Sequence, residues 1–106
     1  MADEKAIYLT DAQGYVWAFD AATGQVNWRQ KKLQARLLTA PALMGNNIVV
    51  ADGEGYVHWI NKQTGEFVAR VAAFEGNVIT AKPLVVSDTV YVLTNNGGLV
   101  AYQLQK

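Results

Sequence analysis

Short apolar runs recur along the chain, and clusters of Gly, Asn, Asp and Thr separate each run from the next. Apolar and polar positions alternate within many of these runs, whereas no stretch keeps apolar residues at helical spacing for three turns. This pattern is typical of β-strands joined by tight turns. It predicts an all-β chain with ten strands, at residues 6–10, 15–20, 25–30, within 36–44, 47–51, 56–61, 66–72, 78–86, 89–94 and 98–104.

The strands belong to an internal repeat of the sequence. Residues 7–20 align without a gap with residues 48–61, which lie 41 positions further on, and a third copy follows 42 positions after the second. The alignment places a glycine at the same point of each copy, namely Gly14, Gly55 and Gly97. A period of about 40–45 residues is typical of one four-stranded blade of a β-propeller.

The period predicts about two and a half four-stranded antiparallel blades, with one blade over residues 6–46, a second over 47–88 and a half-blade over 89–106. Closed propellers have about 4–8 blades. Two and a half blades leave sheet faces and edges uncovered. We therefore expect a fragment of a larger propeller that self-associates in isolation, with the edge near Tyr102 as the first contact. The alternative is a small, self-contained β-sandwich.

The first copy carries the complete motif Gly-x-Val-x-Ala-x-Asp-x-x-Thr-Gly-x-x-x-Trp. Its residues are Gly14, Val16, Ala18, Asp20, Thr23, Gly24 and Trp28. The motif resembles the PQQ-like repeat, also called the tryptophan-docking repeat, and the Gly-His and Trp-Asp pairs of WD40 repeats are absent. The second copy departs from it, with Asn61 in place of Asp20 and Ala69 in place of Trp28. The resemblance implies that Trp28 packs on a neighbouring blade; the alternative is a ligand platform.

A longer stretch of the second copy resembles one particular family of propellers. Residues 49–61, followed by 64–69, resemble the penultimate blade of the BamB family, the propeller lipoproteins of the outer-membrane β-barrel assembly machinery. This resemblance implies an eight-bladed, non-enzymatic scaffold in the periplasm, held at the outer membrane by an N-terminal lipid. It also implies contacts with the POTRA domains of the barrel-forming subunit and help for nascent outer-membrane proteins. The chain departs from the family in lacking the lipidated Cys and more than half of the blades, and none of the POTRA-contacting loops can be matched to its residues.

Composition and charge exclude several classes of function. The chain is 51% apolar, and nine Lys and Arg balance nine Asp and Glu. These values exclude intrinsic disorder and a strongly basic nucleic-acid binder. With no Cys, the chain has no disulfide, Cys nucleophile or thiolate metal site. No apolar run approaches the ~18 residues of a membrane-spanning helix, and the N-terminus has no apolar segment of the kind found in a signal peptide.

One region has an uneven charge. It contains Arg29, Lys31, Lys32 and Arg36, and no acidic residue lies between Asp20 and Asp52. The region falls between predicted strands, where functional residues tend to gather. A basic loop could attract the acidic surface of a partner protein. The alternative is an ordinary solvated loop.

The sequence favours structural roles for the remaining candidate site residues. His58 is the one histidine and has no second His or Cys with which to form a metal site. Asp11 and Asp52 open turns between strands, where capping of the turn explains them better than calcium binding does. The glycines link strand to strand and so do not form a phosphate loop, which leads into a helix. We therefore expect no catalytic, cofactor or metal site.

Two other functions remain open. The first is a fragment of a PQQ-dependent quinoprotein dehydrogenase, which shares the repeat but requires a catalytic acid, calcium ligands and a planar slot for the cofactor. No acidic cluster of that kind is evident in the sequence. The second is a peptide-binding propeller from another protein of the cell envelope.

Overall fold

The fold is built from β-strands alone in the part of the chain that the computed structural model describes, which is residues 3–34, 37–72, 83–87, 89–93 and 99–103. No helix in these ranges is long and apolar enough to cross a membrane. The strands are β1 (Ala6–Thr10), β2 (Val16–Asp20), β3 (Val26–Gln30), β4 (Ala42–Met44), β5 (Asn47–Ala51), β6 (Tyr56–Asn61), β7 (Phe67–Ala72), β8 (Leu84–Val86), β9 (Thr89–Leu93) and β10 (Leu99–Gln103). The all-β prediction is confirmed.

Three antiparallel sheets contain these strands. The first sheet is β1-β2-β3, the second is β4-β5-β6-β7 and the third is β8-β9-β10, each in chain order. In the first sheet Tyr8 lies opposite Ala18, and in the second sheet Val49 lies opposite Trp59. The pairs stand 41 positions apart, so the sequence repeat is also a repeat of strand register.

The assignment of the fourth strand to the first blade is wrong. β4 pairs with β5, with Ala42 opposite Val49, and therefore opens the second sheet. In the same way β8 pairs with β9 and opens the third. The physical reason is the connection: two residues, Gly45 and Asn46, join β4 to β5 as a hairpin, whereas residues 31–41 separate β4 from β3. The sheets consequently do not coincide with the units 6–46, 47–88 and 89–106.

The turn after the first long strand is built in the same way in the first two copies. Asp11 Oδ1 accepts hydrogen bonds from the backbone N–H groups two and four residues further on, at 2.9 and 3.0 Å. Asp52 Oδ1 accepts the corresponding pair at 2.9 and 3.1 Å. Gly14 and Gly55 then adopt φ of 89° and 94°, a region that favours glycine. Gly97 lies outside the described residues.

The second sheet lies between the other two and is buried on both faces. Its side chains facing the first sheet are Ile48, Val50 and Ile60, which join a core that includes Ala6, Tyr8, Val16 and Ala18. The alternate side chains, among them Val49, Val57 and Trp59, pack with Val90 and Val92 of the third sheet. This division follows from the two-residue period of a strand, and it explains why β5 and β6 are almost continuously apolar.

The two outer faces of the stack are apolar and exposed. On the first sheet Ile7 and Leu9 point away from the core, and on the third sheet Leu84, Leu93 and Leu99 are exposed. Ile7 and Leu9 correspond, 41 positions on, to the buried Ile48 and Val50. Self-association through these faces stays a prediction.

Candidate functional site

Trp28 on β3 joins the first sheet to the second. Its indole Nε1 donates a hydrogen bond of 2.8 Å to the carbonyl oxygen of Lys62. The indole ring lies directly on Gly65, where an added Cβ atom would stand 2.6 Å from the ring. Gln30 Nε2 donates a further bond of 2.7 Å to the Gly65 carbonyl. The ring is therefore packed between sheets, with its one polar atom satisfied.

The turn that Trp28 contacts, residues 61–65, has a counterpart at residues 20–24 of the first sheet. No described side chain packs on Gly24 in that counterpart. Asn61 Oδ1 accepts backbone N–H groups two and three residues on, at 2.8 and 3.2 Å, and Asp20 Oδ1 does the same at 2.8 and 3.0 Å. The two bonds to Asp20 lower its pKa, and the bond from the Thr23 N–H contributes most. Gly65 and Gly24 follow with φ of 77° and 75°. No described atom lies within 4 Å of a Cβ added at Gly24.

In the turns that begin at Asp11 and Asp52, the carboxylate also binds an aromatic ring on the following strand. Trp17 Nε1 donates to Asp11 Oδ2 at 2.7 Å, and this bond is the foremost cause of the lowered pKa of Asp11. His58 Nε2 lies 2.7 Å from Asp52 Oδ2, with both side chains fully buried. Because the other oxygen of Asp52 accepts two N–H groups, we assign the carboxylate as the acceptor and Nε2 as the protonated nitrogen. His58 is thus a buried structural residue on the face opposite Trp59.

The second ring nitrogen of His58 has no such explanation. Nδ1 is buried and has no hydrogen-bond partner among the described residues. The ring lies 5.8 Å from the ring of Phe67 and 6.3 Å from that of Tyr56. Trp17, at the equivalent position, has no second polar atom to satisfy. The sequence signalled this difference, since the 41-residue shift aligns Trp17 with His58.

An arginine covers an aromatic side chain in each of the first two sheets. The guanidinium carbon of Arg29 stands 5.4 Å from the ring centre of Tyr15 and 5.1 Å from that of Trp17. The guanidinium carbon of Arg70 stands 5.1 Å from the ring centre of Tyr56. These are cation–π distances.

The basic residues chosen from the sequence do not form one loop. Arg29 lies within β3, held against its aromatic neighbours, while Lys31 and Lys32 follow the end of that strand and are exposed. Arg36 lies outside the described residues. Partner binding by this region stays a prediction.

A polar cluster at one end of the first two sheets was not anticipated. Asp3 Oδ2 accepts hydrogen bonds from Lys62 Nζ at 3.2 Å and from the Tyr8 hydroxyl at 3.3 Å. The backbone N–H of Lys5, foremost among several donors, lowers the pKa of Asp3 to about 2. Burial, followed by the charge of Asp3, raises the pKa of Tyr8 to about 12. No local pattern could have shown a contact between residues 3 and 62.

The chemistry of these clusters is that of structural support. Among the described residues, no group of three or more His, Asp or Glu side chains is arranged to hold a metal ion. Each carboxylate described above is engaged by N–H or O–H donors of its own turn or of the adjacent strand. Such carboxylates stabilise turns and sheet contacts.

Comparison with known proteins finds one family that matches nearly the whole chain. The family described as outer membrane protein assembly factor BamB matches residues 2–106. The protein of that name from Legionella pneumophila (strain Paris) is 47% identical over 93 residues, which are 88% of this chain and 24% of the relative. The one from Alkalilimnicola ehrlichii is 38% identical over 103 residues, 97% of this chain and 27% of the relative. The chain thus spans about a quarter of the length of these relatives.

Solved structures show the same architecture. The crystal structure of BamB from Moraxella catarrhalis superposes with a TM-score of 0.89 at 28% identity, covering 98% of this chain and 31% of that one. A quinohemoprotein alcohol dehydrogenase from Pseudomonas putida HK5 superposes with a TM-score of 0.85 at 20% identity, covering 97% of this chain and 18% of that one. The second likeness shows the propeller fold alone.

Proposed function

The chain belongs to the BamB family of outer membrane protein assembly factors, and from this premise we propose that it is a non-enzymatic part of a scaffold that supports the assembly of β-barrel proteins in the outer membrane. The family match over residues 2–106 is the observation that carries the proposal. The stacked sheets support it, because their buried polar groups serve turns and sheet contacts. The scaffold acts through contacts between proteins.

The proposal extends to place and partners. The protein acts in the periplasm at the outer membrane, where an N-terminal lipid attaches the longer protein of which such a chain is part. It contacts the POTRA domains of the barrel-forming subunit and thereby assists nascent outer-membrane proteins. The relatives are named outer membrane protein assembly factors, which supports the proposed place at the outer membrane.

The basic residues after β3 are the proposed contact. Lys31 and Lys32 are exposed and lie next to Arg29, whose guanidinium is already fixed on the surface. A fixed cation beside two exposed ones favours an acidic partner surface at a low entropic cost. Arg36 belongs to the same basic stretch of sequence.

Binding of the purified chain to the POTRA domains tests the function. Calorimetric titration should give saturable binding that weakens as salt is added, because charges steer it. The double charge reversal Lys31→Glu/Lys32→Glu should lower the affinity about tenfold, which corresponds to about 1.4 kcal/mol. The matched control is Lys5→Glu, which reverses an exposed charge away from this region. Absence of binding at about 100 μM would overturn the proposed partner, and equal losses in both variants would overturn the proposed contact.

A further inference from the structure

Each sheet of the stack has two unlike faces. We name the face that contacts the preceding sheet the leading face, and the face that contacts the following sheet the trailing face. In the second sheet Ile48 and Val50 belong to the leading face, which packs on the first sheet. Val49 and Trp59 belong to the trailing face, which packs on the third sheet. Both contacts between sheets therefore join a trailing face to a leading face.

One face of each kind is not covered by another described sheet. The leading face of the first sheet contains Ile7 and Leu9, which lie opposite Phe19 and Trp17 of β2. The trailing face of the third sheet contains six apolar or aromatic side chains, those of Leu84, Val86, Tyr91, Leu93, Leu99 and Ala101. None of the described residues on this trailing face is charged. Exposed apolar patches of this kind mark interaction surfaces.

Both uncovered faces correspond to faces that are buried elsewhere in the chain. Ile7 and Leu9 correspond to Ile48 and Val50, which are buried completely against the first sheet. The six residues of the uncovered trailing face have counterparts 42 positions earlier, and none of these counterparts is more than 8% exposed. The counterparts are Ala42, Met44, Val49, Ala51, Val57 and Trp59. The uncovered faces are thus the two halves of an interface that the chain already forms within itself.

The contact between the second and third sheets shows how little such an interface requires. Hydrogen bonds from Trp28 and Gln30 also join the first sheet to the second. Ala69 and Val71 occupy the corresponding positions of the second sheet and have no polar side-chain atom to donate. The trailing face of the second sheet is nevertheless buried in one core with Val90 of the third sheet. A trailing face therefore packs on a leading face without a tryptophan at the periphery.

We propose that two copies of the chain join head to tail, with the trailing face of the third sheet of one copy packed on the leading face of the first sheet of the other. A second copy is the occupant that carries the matching face in the matching register. The contact is heterologous, because it joins two different surfaces and leaves one face of each kind open on the pair. Two leading faces, by contrast, do not meet anywhere among the described sheets.

Two variants that each block one face test this arrangement. Leu9→Lys places a charge on the leading face of the first sheet, and Leu99→Lys places one on the trailing face of the third. Both leucines are exposed in the single chain, at 46% and 65%, so that urea unfolding should change little. Each variant alone should self-associate about tenfold more weakly than the unaltered chain, because the contact would bury the charge.

An equimolar mixture of the two variants should restore the association. One variant supplies an intact trailing face and the other an intact leading face, so that they should form a 1:1 complex about tenfold tighter than either variant forms with itself. Labelling one variant with ¹⁵N lets native mass spectrometry separate this complex from pairs of like chains. Sedimentation equilibrium gives the association constants. Leu9→Thr and Leu99→Thr, which keep a residue suited to strands, repeat the test if either lysine variant unfolds.

The control is Leu37→Lys, because Leu37 is 67% exposed and lies outside both faces. It should associate as the unaltered chain does. A mixture that associates no more tightly than its separate components would overturn the proposal. So would full association of the Leu99→Lys chain alone, which would indicate contact between two leading faces, or a monomer at concentrations up to about 1 mM. The experiment requires no partner protein, so its outcome is separate from that of binding to POTRA domains.

Discussion

The first and second sheets are two copies of one unit in different surroundings. Their strands, turn carboxylates and left-handed glycines correspond at a shift of 41 positions. Yet Ile7 is 37% exposed where Ile48 is buried completely, and Leu9 is 46% exposed where Val50 is buried completely. Because the side chains are alike, the difference arises from the neighbouring sheet. The local sequence thus determines strand and turn, whereas a neighbour determines what is core.

The largest expected effect comes from comparing two tryptophans of the first sheet, of which Trp28 contacts the second sheet and Trp17 lies on the open face. Trp28→Ala removes the ring that lies between the sheets. The change leaves Gly65 uncovered and the Lys62 carbonyl without its hydrogen-bond donor. We expect a loss of about 3 kcal/mol in the free energy of unfolding. Trp17→Ala, on the open face, should cost about 1 kcal/mol. Urea unfolding of both variants gives the two values, and equal losses would contradict the role of the neighbouring sheet.

The two glycines offer a closer comparison. Gly24→Ala and Gly65→Ala both place a side chain at positive φ, which costs about 1 kcal/mol. Only at Gly65 does the new Cβ meet the Trp28 ring, at 2.6 Å. Gly65→Ala should therefore cost about 1–2 kcal/mol more than Gly24→Ala. If thermal or urea unfolding shows no difference between the two, then the ring does not rest on Gly65 as described.

The open face can be tested by self-association. Besides the predicted contact at the edge near Tyr102, the exposed apolar face of the first sheet should contribute to self-association by sheet-on-sheet packing, and Leu9→Lys should lower the association constant about tenfold. Leu37→Lys is the control, because Leu37 is exposed and lies outside that face. Sedimentation over a range of concentrations measures both. A monomer at every concentration would disprove association, and equal effects of the two variants would place the contact elsewhere.

The smallest effect concerns the turn that carries Asp20 in one sheet and Asn61 in the other. Backbone donors hold the pKa of Asp20 below its ordinary value of 3.8. The ionised carboxylate therefore stabilises the fold above that value, and this contribution is lost as the pH falls through the lower pKa of the folded state. Asp20→Asn should lower the melting temperature slightly at pH 7 and by less at pH 2. A loss of equal size at both values would show that charge is irrelevant here.

Much of this fold could be predicted from the repeat. The strands and turns follow from local patterns, and the motif ending at Trp28 pointed to contact between blades. The sheet to which β4 belongs could not be read from the repeat, because a period does not state where a unit begins; the hairpin at Gly45 decides it. Burial of His58 and its bond to Asp52 were missed, although the alignment with Trp17 and Asp11 contained the signal. The contact of Asp3 with Lys62 depends on how two sheets stack, which the sequence does not display.

Trp28 and Gln30 form a peripheral clamp, a pair of side chains that hydrogen-bond the first sheet to the second. Because of this clamp, the two contacts between sheets should differ in mechanical strength. The counterpart of Trp28 in the second sheet is Ala69, and the counterpart of Gln30 is Val71, neither of which has a polar side-chain atom to donate. Among the described residues, the contact between the second and third sheets depends instead on interior packing, such as that of the Trp59 ring against the Tyr102 ring, whose centres are 6.1 Å apart. Under tension a peripheral clamp resists sliding, whereas interior packing alone yields to peeling. A pull on the two termini would therefore detach the third sheet first and leave the first two joined as one mechanical unit.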